Sequence, residues 1–127
     1  MVQSDHFSER LDVVRKRFAS SLEGKISDTY AELPCMSDAG ANAVDAVANA
    51  YRRIHGICGV GRTVGFAATG RAAKTVEDVL IGAYRGGRGL AATEMARLEQ
   101  TLGFLAAAAQ TELRSTSTPS TPIAKGE

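Results

Sequence analysis

Apolar residues recur at intervals of three or four along most of the chain, with charged and polar residues between them. This spacing is typical of an amphipathic α-helix, in which 3.6 residues make one turn. The first series consists of Phe7, Leu11, Val14, Phe18, Leu22, Ile26, Tyr30 and Leu33. Pro34 predicts the end of this helix, because proline has no amide proton to continue the hydrogen-bond ladder.

The same spacing predicts three further helices. The second helix has its apolar side at Ala43, Ala46, Val47, Ala50, Ile54 and Ile57, and glycines weaken it so that it ends near Arg62. The third starts close to Phe66 and runs to Ala83, where three glycines in residues 86–89 predict a turn. The fourth has core spacing at Met95, Leu98, Leu102, Leu105 and Ala109. No segment alternates with the period of a strand, so the pattern predicts an all-α fold, an antiparallel up-down four-helix bundle.

The chain is predicted to be organised as one domain with two short ends. Residues 1–6 are expected to fray, and residues 7–113 to form the bundle. Residues 114–127 are rich in serine, threonine and proline, so a disordered tail is expected there. A chain of 127 residues is long enough to bury one core without disulfides or metals.

Composition narrows the classes of partner and compartment. The formal net charge is +1, so neither nucleic acid nor an anionic membrane is expected to bind through bulk attraction. No apolar run approaches the roughly 20 residues of a membrane-spanning helix, and no signal-peptide pattern opens the chain. Cys35 and Cys58 are the only cysteines and form no disulfide framework, which predicts a cytoplasmic protein with reduced thiols.

Candidate chemistry is concentrated in the stretch RRIHGICGVGRTVGF, residues 52–66. At about 100° per residue, His55 lies well outside the apolar arc of the second helix and is predicted on the outer surface. Gly59, one turn later, removes a side chain that would shield the imidazole. Arg52 and Arg62 lie at similar angles and are predicted to hold an anion, because a guanidinium presents a fork of donors to phosphate oxygens. Neutral imidazole is a nucleophile at cytoplasmic pH, so this arrangement predicts a phosphorylatable histidine.

The stretch resembles the signature of histidine-containing phosphotransfer (HPt) domains, a histidine followed by x-[LI]-K-G and by a further glycine six residues on. His55, Ile57, Gly59 and Gly65 match that pattern, and Phe66 falls where the third helix of the family begins. The resemblance implies a four-helix bundle whose exposed histidine accepts a phosphoryl group from the aspartate of one receiver domain and passes it to another.

Carried over by residue, the resemblance implies that His55 is the phospho-acceptor and that Gly59, with Gly56 and Cys58 beside it, gives the partner access. It also implies a phosphocarrier rather than a kinase, with no nucleotide and no metal of its own, and Mg²⁺ only on the receiver domain. The expected partners are receiver domains and a hybrid sensor kinase, and the expected state is a monomer. The docking patch for a receiver is predicted from nearby apolar residues, namely Tyr51, Val60, Val64 and Phe66.

One departure from the family pattern leaves alternatives open. The family usually has lysine three residues after the histidine, and this chain has Cys58. Either Arg52 or Arg62 supplies the missing charge, or phosphotransfer is slower or absent. The alternative is therefore a non-catalytic adaptor that binds receiver domains or a sensor kinase, and a third is a dimerisation bundle like the histidine-bearing part of a sensor kinase. His55 and Cys58, even with Cys35, fall short of the four ligands of a structural zinc site, so no metal is expected.

Overall fold

The computed structural model describes residues 2–37 and 42–117, with side chains for 8–37 and 42–115. Four helices account for most of these residues: α1 (Val2–Glu32), α2 (Ala43–Thr63), α3 (Ala67–Gly86) and α4 (Ala92–Ser117). Helix α1 ends just before Pro34, as predicted, and a 3₁₀ turn, Leu33–Met36, follows it. Within the described ranges there is no β-strand, only an isolated bridge between Ser37 and Leu90. The predicted all-α four-helix bundle is confirmed.

The two ends of the bundle differ from the predicted boundaries. Helix α1 begins at Val2, whereas the apolar pattern placed its start at Phe7. Helix α4 continues to Ser117, a few residues into the stretch that was predicted to be a disordered tail. The rest of that predicted tail, residues 118–127, lies outside the described residues, as does Met1. No helix in the described part of the chain is both long enough and apolar enough to cross a membrane.

Side-chain contacts show that neighbouring helices run antiparallel. Between α1 and α2, Nε of Arg15 donates to the carbonyl oxygen of Val64, while Arg53 pairs with Glu32 at the opposite end. Between α3 and α4, the carboxylate of Glu112 accepts from the amide of Thr69. These pairings fix the up-down order of the helices and place α2 next to both α1 and α3.

The predicted core positions are buried on α2, and most are buried on α3 and α4, where Met95 is half-buried. On α1, Leu11 is half-buried, and the side chain of Phe7 lies outside the described residues. Phe18, Leu22 and Ile26 are buried as predicted, whereas Val14 and Tyr30 are exposed. Each four-residue step advances about 40° around the helix, so positions eight residues from Leu22 drift about 80° to the edges of its buried stripe. Thr29 fills the stripe instead, and its hydroxyl accepts a hydrogen bond from Arg53 while donating to the carbonyl oxygen of Lys25.

The turn between α3 and α4 is held by one charged pair. Arg88 donates two hydrogen bonds to the carboxylate of Glu94, at 2.8 and 3.0 Å. The amide of Ala91 donates to the same carboxylate. The hydrogen bonds from Arg88, and the one from the amide of Ala91, lower the pKa of Glu94 to about 2. Gly87 adopts a left-handed conformation with φ of 62°, which ends α3 inside the predicted glycine turn.

Helices α2 and α3 approach each other closely at two glycines. A Cβ atom at Gly61 would lie 3.7 Å from the Cα atom of Gly70. A Cβ atom at Gly70 would lie 2.6 Å from Cγ of Arg62 and 3.3 Å from the carbonyl oxygen of Cys58. The Arg62 side chain therefore lies across α3 at a position that only glycine leaves open. Gly65, with φ of 95°, ends α2 immediately afterwards.

Replacing Gly70 by alanine is expected to destabilise the protein by about 1–3 kcal/mol, because the new methyl group forces α2 and α3 apart. Replacing Gly103 by alanine is the matched control, since a Cβ atom there would meet nothing within 4 Å. That change is expected to stabilise α4 by about 0.5–1 kcal/mol through helix propensity. Urea denaturation of both variants measures the difference. Equal stabilisation by the two alanines would show that the helices are not in close contact at Gly70.

Candidate functional site

His55 lies on the outer side of α2, as the helical wheel predicted. Its side chain is 66% exposed, while its neighbour Ile54 is fully buried. Gly59, one turn further along α2, is exposed, and a Cβ atom there would meet nothing within 4 Å. On the side of the imidazole that faces Gly59, no side chain of α2 shields it, and another molecule can approach from there.

A buried carboxylate orients the imidazole from the neighbouring helix. Oε1 of Glu77 on α3 lies 3.3 Å from Nδ1 of His55, and the Glu77 side chain is only 7% exposed. A carboxylate can only accept hydrogen bonds, so the contact favours the tautomer with the proton on Nδ1. The lone pair of the neutral ring is then on Nε2, the nitrogen that does not face Glu77.

The imidazole of His55 is also one of three stacked aromatic rings beside Glu77. The rings of Tyr51 and His55 are nearly parallel with centroids 5.7 Å apart, and Tyr84 stacks on the other side of Tyr51 at 4.1 Å. The hydroxyl of Tyr51 donates to Oε2 of Glu77 at 3.4 Å. Burial raises the pKa of Tyr51, and the charge of Glu77 raises it further, so this hydroxyl keeps its proton. Both oxygens of Glu77 thus have a partner, and the position of the carboxylate is fixed.

The two arginines predicted to hold an anion lie in different places. Arg52 is exposed one turn before His55 on the same side of α2. Arg62 is two turns after His55, about 10 Å along the helix axis, and its stem is packed over Gly70. Only Arg52 is therefore next to the imidazole, and Arg62 belongs to the groove between α2 and α3.

Lys74 on α3 brings a further positive charge towards the site. It lies one turn before Glu77 on α3, close enough to be influenced by the negative charge of that residue. Nζ of Lys74 is 3.2 Å from Oδ1 of Asp78, and this pairing raises the pKa of the lysine, with Glu77 adding to the effect. The lysine stays protonated beside the part of α2 that follows His55.

Three of the residues predicted to face a partner are buried instead. Cys58 is 6% exposed, because its side of α2 is covered by α3. Val64 and Phe66 are also core residues, and Phe66 packs edge-on against Phe18 with centroids 5.1 Å apart. Both residues were predicted to dock a partner because they are close to His55 in the sequence. They lie just beyond the end of α2 at Thr63, on either side of Gly65, and both pack in the core.

The other predicted access and docking residues are distributed over different surfaces. Val60 is exposed, but it lies about 140° around α2 from His55 and faces Val14 of α1. Tyr51 is half-buried in the ring stack, so it forms a wall of the site rather than a free patch. Gly56 is half-buried with open space at its Cβ position. The predicted apolar docking patch does not form as one surface.

Sequence reasoning did not identify Glu77 or Lys74. The signal for Glu77 was present, because this acid lies on the same face of α3 as Ala73, Leu80 and Tyr84. A lone carboxylate on an apolar face requires a polar partner. That partner is supplied by α2, and only the relative register of α2 and α3 identifies it as His55.

The cysteines do not join the site as metal ligands. Cys35 is exposed in the 3₁₀ turn, whereas Cys58 is buried on α2. Among residues 2–37 and 42–117, no three histidine, cysteine or acidic side chains converge in a way that could hold a metal ion.

In comparisons with known proteins, no family model, no curated protein and no solved structure matches the chain.

Proposed function

We propose that the chain is a histidine phosphotransfer protein, in which His55 accepts a phosphoryl group from the aspartate of a receiver domain and passes it to another receiver domain. The observation that carries this proposal is the exposed imidazole with its Nδ1 held 3.3 Å from the buried carboxylate of Glu77. A histidine that is solvent-accessible at one nitrogen and fixed at the other is suited to act as a nucleophile.

In the proposed step, the lone pair of Nε2 attacks the phosphorus atom of an aspartyl phosphate. The bond between phosphorus and the carboxylate oxygen breaks, and the aspartate leaves as a carboxylate. Because Nδ1 keeps its proton, the phosphorylated ring carries a positive charge, which the carboxylate of Glu77 offsets. Transfer to the second receiver reverses these bonds, so Glu77 need not exchange a proton in either direction.

Positive charge near the phosphoryl group is proposed to come from Lys74 and Arg52. The HPt signature has a lysine at the position of Cys58, and Cys58 is buried here. Lys74 reaches the same part of α2 from α3, and Arg52 lies one turn before the histidine. A receiver domain would add its own Mg²⁺, which provides most of the charge stabilisation in phosphoryl transfer.

The proposal makes the chain a phosphocarrier with no nucleotide site, acting as a monomer in the cytoplasm between a hybrid sensor kinase and response regulators. A non-catalytic adaptor is the second candidate, and the observation that favours it is Cys58 in place of the lysine. An adaptor would bind receiver domains through the same side of the bundle without forming phosphohistidine.

The test is intact-mass analysis of the native chain after incubation with a phosphorylated receiver domain and, separately, with phosphoramidate. We expect the mass of one phosphoryl group to be added, with the acid lability and base stability of phosphohistidine. Binding of receiver domains without any acid-labile phosphorylation would support the adaptor. Sedimentation of the unphosphorylated chain should give a monomer, and a stable dimer would instead favour a sensor-kinase dimerisation bundle.

A further inference from the structure

A groove with several positive charges lies along the first half of α3, beside the end of α2. It has a volume of about 640 Å³ and is lined by Arg62, Ala67, Gly70, Arg71, Lys74 and Thr75. Lys74 lies one turn before Glu77, which contacts His55, and Arg62 and Arg71 lie further from that contact, near the close approach of the helices at Gly70. One end of the groove is therefore about one turn along α3 from Glu77, and the other end lies further from the aromatic stack.

The positive charge of the groove is only partly neutralised. Lys74 is paired with Asp78. Arg62 and Arg71 are exposed, and neither guanidinium has a carboxylate partner among residues 8–37 and 42–115. The chain as a whole has a net charge of only +1, so this pair is a local surplus rather than part of a basic surface.

The packing of Arg62 holds that charge in place. Its Cγ atom occupies the space that a Cβ atom at Gly70 would need, so the side chain is directed across α3. Arg71 follows Gly70 directly in the chain, which brings the two arginines to the same part of the groove. Two guanidinium groups with free donors are suited to carboxylates or phosphates, with which they form paired hydrogen bonds.

The groove is too open to enclose a small molecule. All three cationic side chains and the neighbouring Ala67 and Thr75 are exposed, whereas small-molecule sites bury most of their ligand. An exposed strip of cations is suited to a broad anionic surface, which it attracts and orients without enclosing.

We propose that this groove is the docking site for a carboxylate-rich surface on the phosphorylated protein that exchanges its phosphoryl group with His55. The inference rests on the proposed function and adds the chemistry by which the partner is recognised. Arg62 and Arg71 pair with carboxylates of the partner, while Lys74 lies between that contact and the reacting imidazole. At about 10 Å from His55, Arg62 acts on the encounter of the two proteins and not on the transfer itself.

The test compares two double variants that change the net charge equally. Arg62→Glu with Arg71→Glu reverses the groove, and Arg10→Glu with Lys16→Glu is the control on the exposed side of α1. The donors are phosphoramidate, which needs no docking, and a receiver domain phosphorylated with acetyl phosphate. Circular dichroism and thermal denaturation establish that each variant is folded, and Arg62→Gln with Arg71→Gln gives a milder change that keeps the helix-compatible stems.

We expect the groove variant to raise the KM for the receiver domain at least about tenfold at low ionic strength, with kcat little changed. The salt dependence of KM should become flatter, and the glutamine variant should lie between native and charge-reversed proteins. Phosphorylation by phosphoramidate should proceed at the native rate in every variant. The α1 control should resemble the native chain with both donors.

Three results would overturn the inference. Equal KM changes in the groove and α1 variants would show that KM depends only on the net charge of the chain and not on the groove. An equal loss with phosphoramidate would place the arginines in the chemical step. A single-stranded oligonucleotide bound by the native chain and lost in the groove variant, with KM for the receiver unchanged, would identify nucleic acid as the occupant. If the native chain accepts phosphate from neither donor, the proposed function itself fails.

Discussion

Replacement of His55 by glutamine is expected to abolish phosphoryl acceptance from both phosphoramidate and a phosphorylated receiver domain. Glutamine is similar in length and can donate a hydrogen bond to Glu77, but its amide nitrogen has no nucleophilic lone pair. His55 is largely exposed, so the change should alter the free energy of unfolding by no more than about 0.5 kcal/mol. Intact-mass analysis measures acceptance, and urea denaturation measures stability.

The matched control is replacement of His6 by glutamine, since these are the only two histidines in the chain. The His6→Gln variant should accept a phosphoryl group as the native chain does. Acid-labile phosphorylation that persists in His55→Gln and disappears in His6→Gln would identify His6 as the acceptor and contradict the proposal. Receiver binding that survives in His55→Gln would show that docking and chemistry are separable.

The sequence was sufficient to predict the helices because each has a helical apolar pattern and the first three end at a strong signal. Pro34 follows the first helix, Gly65 follows the second, and Gly87 follows the third. A helical wheel needs only the period of one helix, so it also placed His55 outside the buried side of α2. The apolar spacing within single helices was therefore enough to predict the four-helix architecture and the exposure of His55.

Predictions that needed the position of a second helix were less successful. A wheel gives the angle of Cys58 relative to His55, but it does not show that α3 covers that angle and buries the thiol. Glu77 was not predicted for the same reason, because it is an isolated acid in the sequence and its partner is known only when α2 is placed beside α3. Val64 and Phe66 were misplaced for a different reason, because closeness to His55 in the sequence does not show how the chain turns after α2 ends at Thr63.

The proposed function needs a positive charge to replace the lysine of the HPt signature, and tertiary structure decides which residue can supply it. From the sequence, the replacement for this lysine was expected on α2, as either Arg52 or Arg62. The packing of Arg62 over Gly70 carries that arginine into the groove, whereas Lys74 arrives from α3 at the level of Cys58. Under the proposed function, the charge that the signature places on α2 would therefore come from the facing helix, which approaches α2 closely at Gly70.

Replacement of Glu77 by alanine is expected to slow phosphoryl acceptance about a hundredfold while His55 remains reactive. In the proposed mechanism, the carboxylate favours the Nδ1-protonated tautomer and offsets the charge of the phosphorylated ring. Loss of the orienting aspartate costs about 10⁴-fold in the serine protease triad. We expect a smaller loss here, because His55 is open to water, which can partly replace the carboxylate. The reduction should fall on kcat with phosphoramidate and with a receiver domain alike, which separates Glu77 from the docking groove.

The conservative variant Glu77→Gln should recover most of this loss, because its amide oxygen can still accept from Nδ1 and its amide group can contact Tyr51. Nitrogen chemical shifts of the imidazole measure the tautomer directly: the native chain and Glu77→Gln should show a protonated Nδ1, and Glu77→Ala a mixture. Glu99→Ala, on the exposed side of α4, is the control for loss of one carboxylate. If glutamine and alanine slow transfer equally while the tautomer stays unchanged, Glu77 acts through its charge and does not position the ring.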